Sequence, residues 1–143
     1  MPPVEMHFDT TPERTFEVLS QPRHYGFWVT GSREIHDHDP RWPQPGSAFR
    51  HTQGVWPLLI SDTTSVVACD APRRLELEAR VRPLLVARII LELFPQNGGT
   101  RVRMQEVPVG GVLELPLKLP PWPLVLQARN KESLRRLRRL AEG

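Results

Sequence analysis

The chain has 143 residues, of which 39% are hydrophobic and 24% charged, with a formal net charge of +3. That is the length of one domain, spanning residues 1–143, and it suffices to bury roughly 68–70% of the unfolded surface without staples. The lone Cys69 excludes an internal disulfide, no apolar run approaches the ~18 residues of a membrane span, and the opening MPPVEMHF lacks the pattern of a signal peptide. A cytoplasmic, reduced setting with no stable membrane insertion is the expectation.

In chain order, Val4–Phe8 alternates and predicts a first strand. Thr10-Thr11-Pro12-Glu13 then reads as a helix start: a Thr cap, a Pro whose missing N–H would be unpaired there anyway, and an acid in the first turn. That helix carries Phe16 and Leu19 on one face and stops at Ser20-Gln21-Pro22. A second helical turn, residues 23–27, leads to Trp28 and Gly31. From Ser32 the helical period disappears. Residues 33–39 predict a polar strand, closed by Asp39-Pro40 and the turn-rich run from Trp42 to Gly46. Residues 47–53 and the long run 58–69 follow, the latter ended by Asp70-Ala71-Pro72. Residues 74–82 alternate Leu75, Leu77, Ala79 and Val81 with charged residues, the mark of an antiparallel strand with one wet face. Residues 85–94 repeat the period. Gln96-Asn97-Gly98-Gly99 is a hairpin turn, and residues 100–107 give a last strand.

Residues 108–122, PVGGVLELPLKLPPW, are too rich in proline for a regular strand or a stable helix. The expectation is a self-packed flap over the open end of the sheet, with a homodimer contact or a transient membrane contact as the alternatives. Residues 123–142 predict a closing helix of roughly 30 Å at 1.5 Å per residue. Leu126, Asn130, Leu134, Leu137, Leu140 and Ala141 share one stripe, and six basic residues take its flanks and back. A solvated back, with Glu132 pairing to Arg136 one turn on, accounts for those charges. No recognition motif accompanies them, so no nucleic-acid partner is expected. Asn130 breaks the stripe. It either ties down a neighbouring carbonyl or faces a cavity.

Strand parity gives the polar groups of that cavity. Phe49 is the large apolar residue of its strand, which puts His51 and Gln53 beside it. Asp62 and Thr64 share parity with Ile60 and Val66, and Glu106 continues the face of Val102 and Met104. The predicted ligand-binding set is Phe49, His51, Asp62, Met104, Glu106, Leu126, Asn130 and Leu134. A register slip of one residue would invert any strand assignment. The competing reading places Asp62 and Glu106 at strand ends, bonded to loop N–H groups, with His51 half-exposed. His36-x-His38 has the spacing of a chelate but no third ligand, and a solvated polar strand is the preferred reading. Trp42 and Trp56, beside Pro/Gly turns, either rim the cavity mouth or pack over the sheet end. No metal and no cofactor are expected.

The order of strand, two short helices, six strands and long helix resembles the START-related SRPBCC superfamily, whose fold is the helix-grip. The strings TPERTFEVLSQPRHYGFW, SVVACDAPRRLEL, GGTRVRMQE and RNKESLRRLRRL carry the likeness, over nearly the whole chain. Within the superfamily the chain looks most like the small bacterial proteins labelled polyketide cyclase/dehydrase. The resemblance implies an α+β fold, a curved antiparallel sheet of about seven strands gripping the C-terminal helix around a cavity for a small hydrophobic or aromatic molecule, a lipid among them. Fold does not transfer mechanism. As an enzyme of the cyclase/aromatase type, the protein would use His51, Asp62 and Glu106 as catalytic acid–base groups on a poly-β-keto chain, with Arg50 or Asn130 polarising a carbonyl. A membrane- or partner-binding module is the third reading.

Overall fold

The polar–apolar alternation of the chain's middle third folds as predicted, into successive antiparallel strands with one face turned inward. The computed structural model describes residues 3–55 and 58–143. In order, β1 (Val4–Phe8) is followed by α1 (Pro12–Leu19), a 3-10 turn (Pro22–His24) and α2 (Tyr25–Trp28). Then come β2 (Ser32–His38), β3 (Ala48–Val55), β4 (Leu58–Asp70), β5 (Arg74–Val81), β6 (Leu85–Gln96) and β7 (Gly99–Gly110). A second 3-10 turn, Pro116–Lys118, precedes α3 (Trp122–Glu142). All seven strands form one antiparallel sheet in the order β1-β7-β6-β5-β4-β3-β2. Only β1 leaves the meander, pairing with the last strand rather than the second. The sheet curves around α3 in the helix-grip arrangement.

Local chemistry sets the joints. Thr11 caps α1, its hydroxyl accepting from the Arg14 N–H at 3.1 Å, and Pro12 opens the helix. Between β6 and β7, Asn97 (φ 52°) and Gly98 (φ 75°) both take the left-handed region, which a two-residue type I′ turn requires, and Gln96 pairs with Gly99 across it. β7 runs on through Pro108 to Gly110, beyond the predicted end at residue 107. Among the described residues the pairing of β1 with β7 runs to Val4↔Met104, and Pro108 lies four positions beyond it, near the end of the strand, where a proline is tolerated.

The filled part of the interior lies at the α1 end. Phe8, Leu19, Leu75, Leu91, Leu93, Val102, Leu134 and Leu137 are almost completely buried there. The stripe predicted for α3 holds: Leu126, Asn130, Leu134, Leu137 and Ala141 are buried, Ser133 joins them, and Leu140 packs against the core. Arg14 ties the helix end to α1, its Nε and Nη2 donating to the Ala141 and Leu140 carbonyls at 3.3 Å each. That is a cation on the negative end of the α3 dipole.

Candidate functional site

The floor of the site is set by side-chain size along two strands. In the register of β5 and β6, Leu75 faces Leu91 and Leu77 faces Ile89, but the next inward pair is Ala79 opposite Ala87. Two methyls cannot fill a layer that leucines fill one step earlier, and protein interiors do not close such a gap by themselves. The result is a cavity of about 60 Å³ between the sheet and α3. One water needs roughly 10–15 Å³ on that measure, so there is room for a few waters or one compact ring. Leu77, Ala79, Ala87 and Ile89 form the floor, Met104 and Glu106 one wall, Phe49, His51 and Trp28 the other, and Asn130 and Ser133 the roof.

Among the described residues, several polar groups in these walls lack well-formed hydrogen bonds. His51 is 1% exposed, and its ring makes no well-formed hydrogen bond among the described residues, the Thr63 backbone holding it only weakly. Burial pushes its pKa below the usual 6.5, with the Thr63 backbone and then the Asp62 carboxylate offsetting part of that, so the ring is mostly neutral at pH 7. Trp28 Nε1 is buried and unpartnered, whereas Trp42 Nε1 and Tyr25 OH both donate to the Leu19 carbonyl, at 3.0 and 2.7 Å. Glu106 is 4% exposed; its Oε2 lies 3.8 Å from Arg129 Nη1, and its Oε1 has no partner. An unsatisfied buried polar group costs about 1–3 kcal/mol. Unpaired polar atoms beside a void are places where water or a bound molecule can complete the hydrogen bonds.

Beside the roof, Arg129 and Ser133 fasten the loop after α2. Arg129 Nε donates to the Thr30 carbonyl at 3.0 Å, Thr30 N donates to Ser133 Oγ at 3.0 Å, and Ser133 Oγ donates to Thr30 Oγ1 at 2.8 Å. Only side-chain and loop hydrogen bonds close the cavity on this side.

Of the residues predicted from parity, Phe49, His51, Met104, Glu106 and Asn130 all line the cavity. Leu126 and Leu134 are buried on the α3 stripe but do not reach the cavity surface. Asp62 sits directly across from His51 in the ladder, yet does not line the cavity. Its oxygens accept from Arg82 N, Nε and Nη2 and from Thr63 N, at 2.8 to 3.0 Å. Burial alone would raise its pKa, but these donors hold it at about 2. Arg50 is exposed, on the opposite face of β3 from Phe49 and His51, so it cannot polarise a bound carbonyl. Trp42 is a core residue, its ring centroid 4.8 Å from Phe49 and 5.4 Å from Tyr25, and does not rim the mouth. Trp56 lies outside the described residues. His36 Nε2 is 2.8 Å from Thr52 Oγ1 on the polar edge of the sheet.

The flap corrects another expectation. Instead of packing on itself, the segment leaves Val112, Leu115 and Leu119 between 62% and 73% exposed, and Leu124 and Val125 in the first turn of α3 are 69% and 47% exposed. The segment's prolines allow only one short 3-10 turn, which has no face wide enough to bury them. Among the contributors that escaped the sequence reading are Trp28, Arg129, Ser133 and the Ala79–Ala87 pair. The alanines were visible as small residues inside leucine-rich alternation. Arg129 looked like one more solvated base.

Residues 9–140 match the model of the family described as Activator of Hsp90 ATPase homolog 1-like protein. No curated protein sequence matches the chain closely enough to count as a relative. Among solved structures, protein CV1439 from Chromobacterium violaceum is 16% identical, with a TM-score of 0.74 over 99% of this chain and 96% of that one. TTHA0849 from Thermus thermophilus is 12% identical, with a TM-score of 0.72 over 97% and 94%. The di-domain ARO/CYC StfQ of the steffimycin biosynthetic pathway is 12% identical, with a TM-score of 0.73 over 99% of this chain and 50% of StfQ. At these identities the likeness concerns the fold.

Proposed function

The chain belongs to the Activator of Hsp90 ATPase homolog 1-like family, within the SRPBCC superfamily, and from that premise we propose that it binds a small hydrophobic or aromatic molecule between its sheet and its C-terminal helix. The observation that carries the reading is the hollow over Ala79 and Ala87, walled by apolar side chains and a few unpartnered polar ones. Apolar walls with a small number of convergent polar groups are the usual make-up of a ligand site. At about 60 Å³ the resting cavity admits one ring. Native mass spectrometry of the purified protein tests the proposal. A bound small molecule is expected on the wild type and is lost in Asn130→Trp, whose side chain enters the roof. An adduct that survives this substitution would place the ligand elsewhere.

A second reading, an acid–base enzyme of the cyclase type, draws support from His51 and Glu106. A neutral imidazole and a buried carboxyl on facing walls suit proton transfer to and from a carbonyl compound. Asp62, held at about 2 by Arg82, serves structure rather than proton transfer in this reading. Turnover of a poly-β-keto substrate that persists in both His51→Ala and Glu106→Gln would remove these residues from any such chemistry.

A further inference from the structure

We propose that the ligand is a neutral aromatic carrying both a hydrogen-bond donor and an acceptor, of the hydroxyaryl ketone type. Its hydroxyl donates to Glu106 and its carbonyl accepts from Trp28 or His51. This rests on the cavity-binding reading and adds the chemistry of the occupant. The unpartnered atoms differ in kind and lie on opposite walls. Glu106 Oε1, on β7, can only be completed by a donor. Trp28 Nε1 is a donor with nothing among the described residues to receive it, and the His51 ring on β3, weakly tied to the Thr63 backbone, has one further nitrogen to offer. Between β3 and β7 the sheet presents Leu77, Ala79, Ala87 and Ile89, which offer contact area and no hydrogen bonds, and one hydroxyl, that of Thr64 on β4.

Charge decides the rest. The Glu106 carboxylate already has the Arg129 guanidinium as counter-ion. A second carboxylate brought in by the ligand would be buried beside Glu106 without a cation of its own, and a cationic ligand would have to displace Arg129. A neutral molecule avoids both. The volume limits it to about one ring, and the aromatic edges of Phe49 and Trp28 favour a flat one.

The test compares 4-hydroxyacetophenone with two isosteres, 4-isopropylphenol, which lacks the ketone, and 4-methylacetophenone, which lacks the hydroxyl, with p-xylene as the apolar control and 4-hydroxybenzoate as the anion. Dissociation constants are measured by NMR titration of the full chain. The compound with both groups is expected to bind about tenfold more tightly than either singly substituted one, since one net hydrogen bond in a dry site is worth about that factor. p-Xylene and the anion should bind most weakly. Glu106→Leu should erase the advantage of the hydroxyl and leave 4-methylacetophenone unaffected. Trp28→Phe should erase the advantage of the ketone; if that variant does not fold, Glu106→Leu decides alone. Binding of p-xylene as tight as that of 4-hydroxyacetophenone would overturn this inference and leave the apolar cavity standing. Binding of none of the five would overturn both.

Discussion

The two ends of the grip are built from the same strands and differ in what they put between sheet and helix. At the α1 end, Leu75, Leu91 and Leu93 meet Leu134 and Leu137 in a filled layer, and the buried hydroxyl of Tyr25 and indole of Trp42 share the Leu19 carbonyl. At the other end, Ala79 faces Ala87, buried polar atoms go unpaired, and the covering flap leaves its leucines in solvent. One end carries the stability and the other gives some of it up. Local rules broken in this way tend to mark function.

The contrast is sharpest in how each end should answer a change of volume. Leu91→Ala, in the filled layer, is expected to cost about 3–5 kcal/mol, read from the shift in urea midpoint at constant slope. Ala87→Leu, two layers on, should do the reverse. Its three added carbons enter existing space, at about 0.8 kcal/mol per buried CH₂ where they fit, so a gain of about 1–2 kcal/mol is expected. A loss of stability in Ala87→Leu would mean that the hollow is smaller than it looks.

A subtler difference is in pH dependence. The His51 pKa is lowered by burial, so the unfolded chain takes up a proton near 6.5 while the folded chain stays neutral. Stability from this group is therefore complete above about pH 6.5 and is lost as pH falls below it, down to the folded-state pKa. His51→Phe should flatten that part of the stability profile and raise stability at pH 7, because a weakly held polar ring gives way to an apolar one. An unchanged acid slope in this variant would show that His51 titrates as it would in water. The smallest effect belongs to the solvated back of α3. There Arg136 Nε donates to Glu132 Oε2 at 3.1 Å, and Arg136→Ala should cost only about 0.2–0.5 kcal/mol.

What could be seen in the sequence follows the same division. Periods of two and of 3.6 residues, with Thr11-Pro12 and Asn97-Gly98 as punctuation, were enough for the order of elements and for the α3 stripe. Each of those signals is local, and burial enforces it. Parity also placed Phe49, His51, Met104 and Glu106 on the inward face, because no bulge lies between them and their reference residues. It failed for the use made of Asp62. Facing inward does not stop a carboxylate from turning to an arginine 20 positions on, and that partner arrives only with the β4–β5 pairing. Arg129 was opaque for a similar reason: its contacts, Thr30 and Glu106, lie 99 and 23 positions away. The flap was misjudged because apolar composition says that cover is wanted, not that the chain provides it.

The most direct measurement follows the methyl resonances of both ends while p-cresol is added. The account predicts saturable shifts at Ala79, Ala87 and Ile89, with Leu75, Leu91 and Leu93 nearly still, and no such response in Ala87→Leu. Shifts spread evenly over both ends, or an unaltered response in Ala87→Leu, would contradict it.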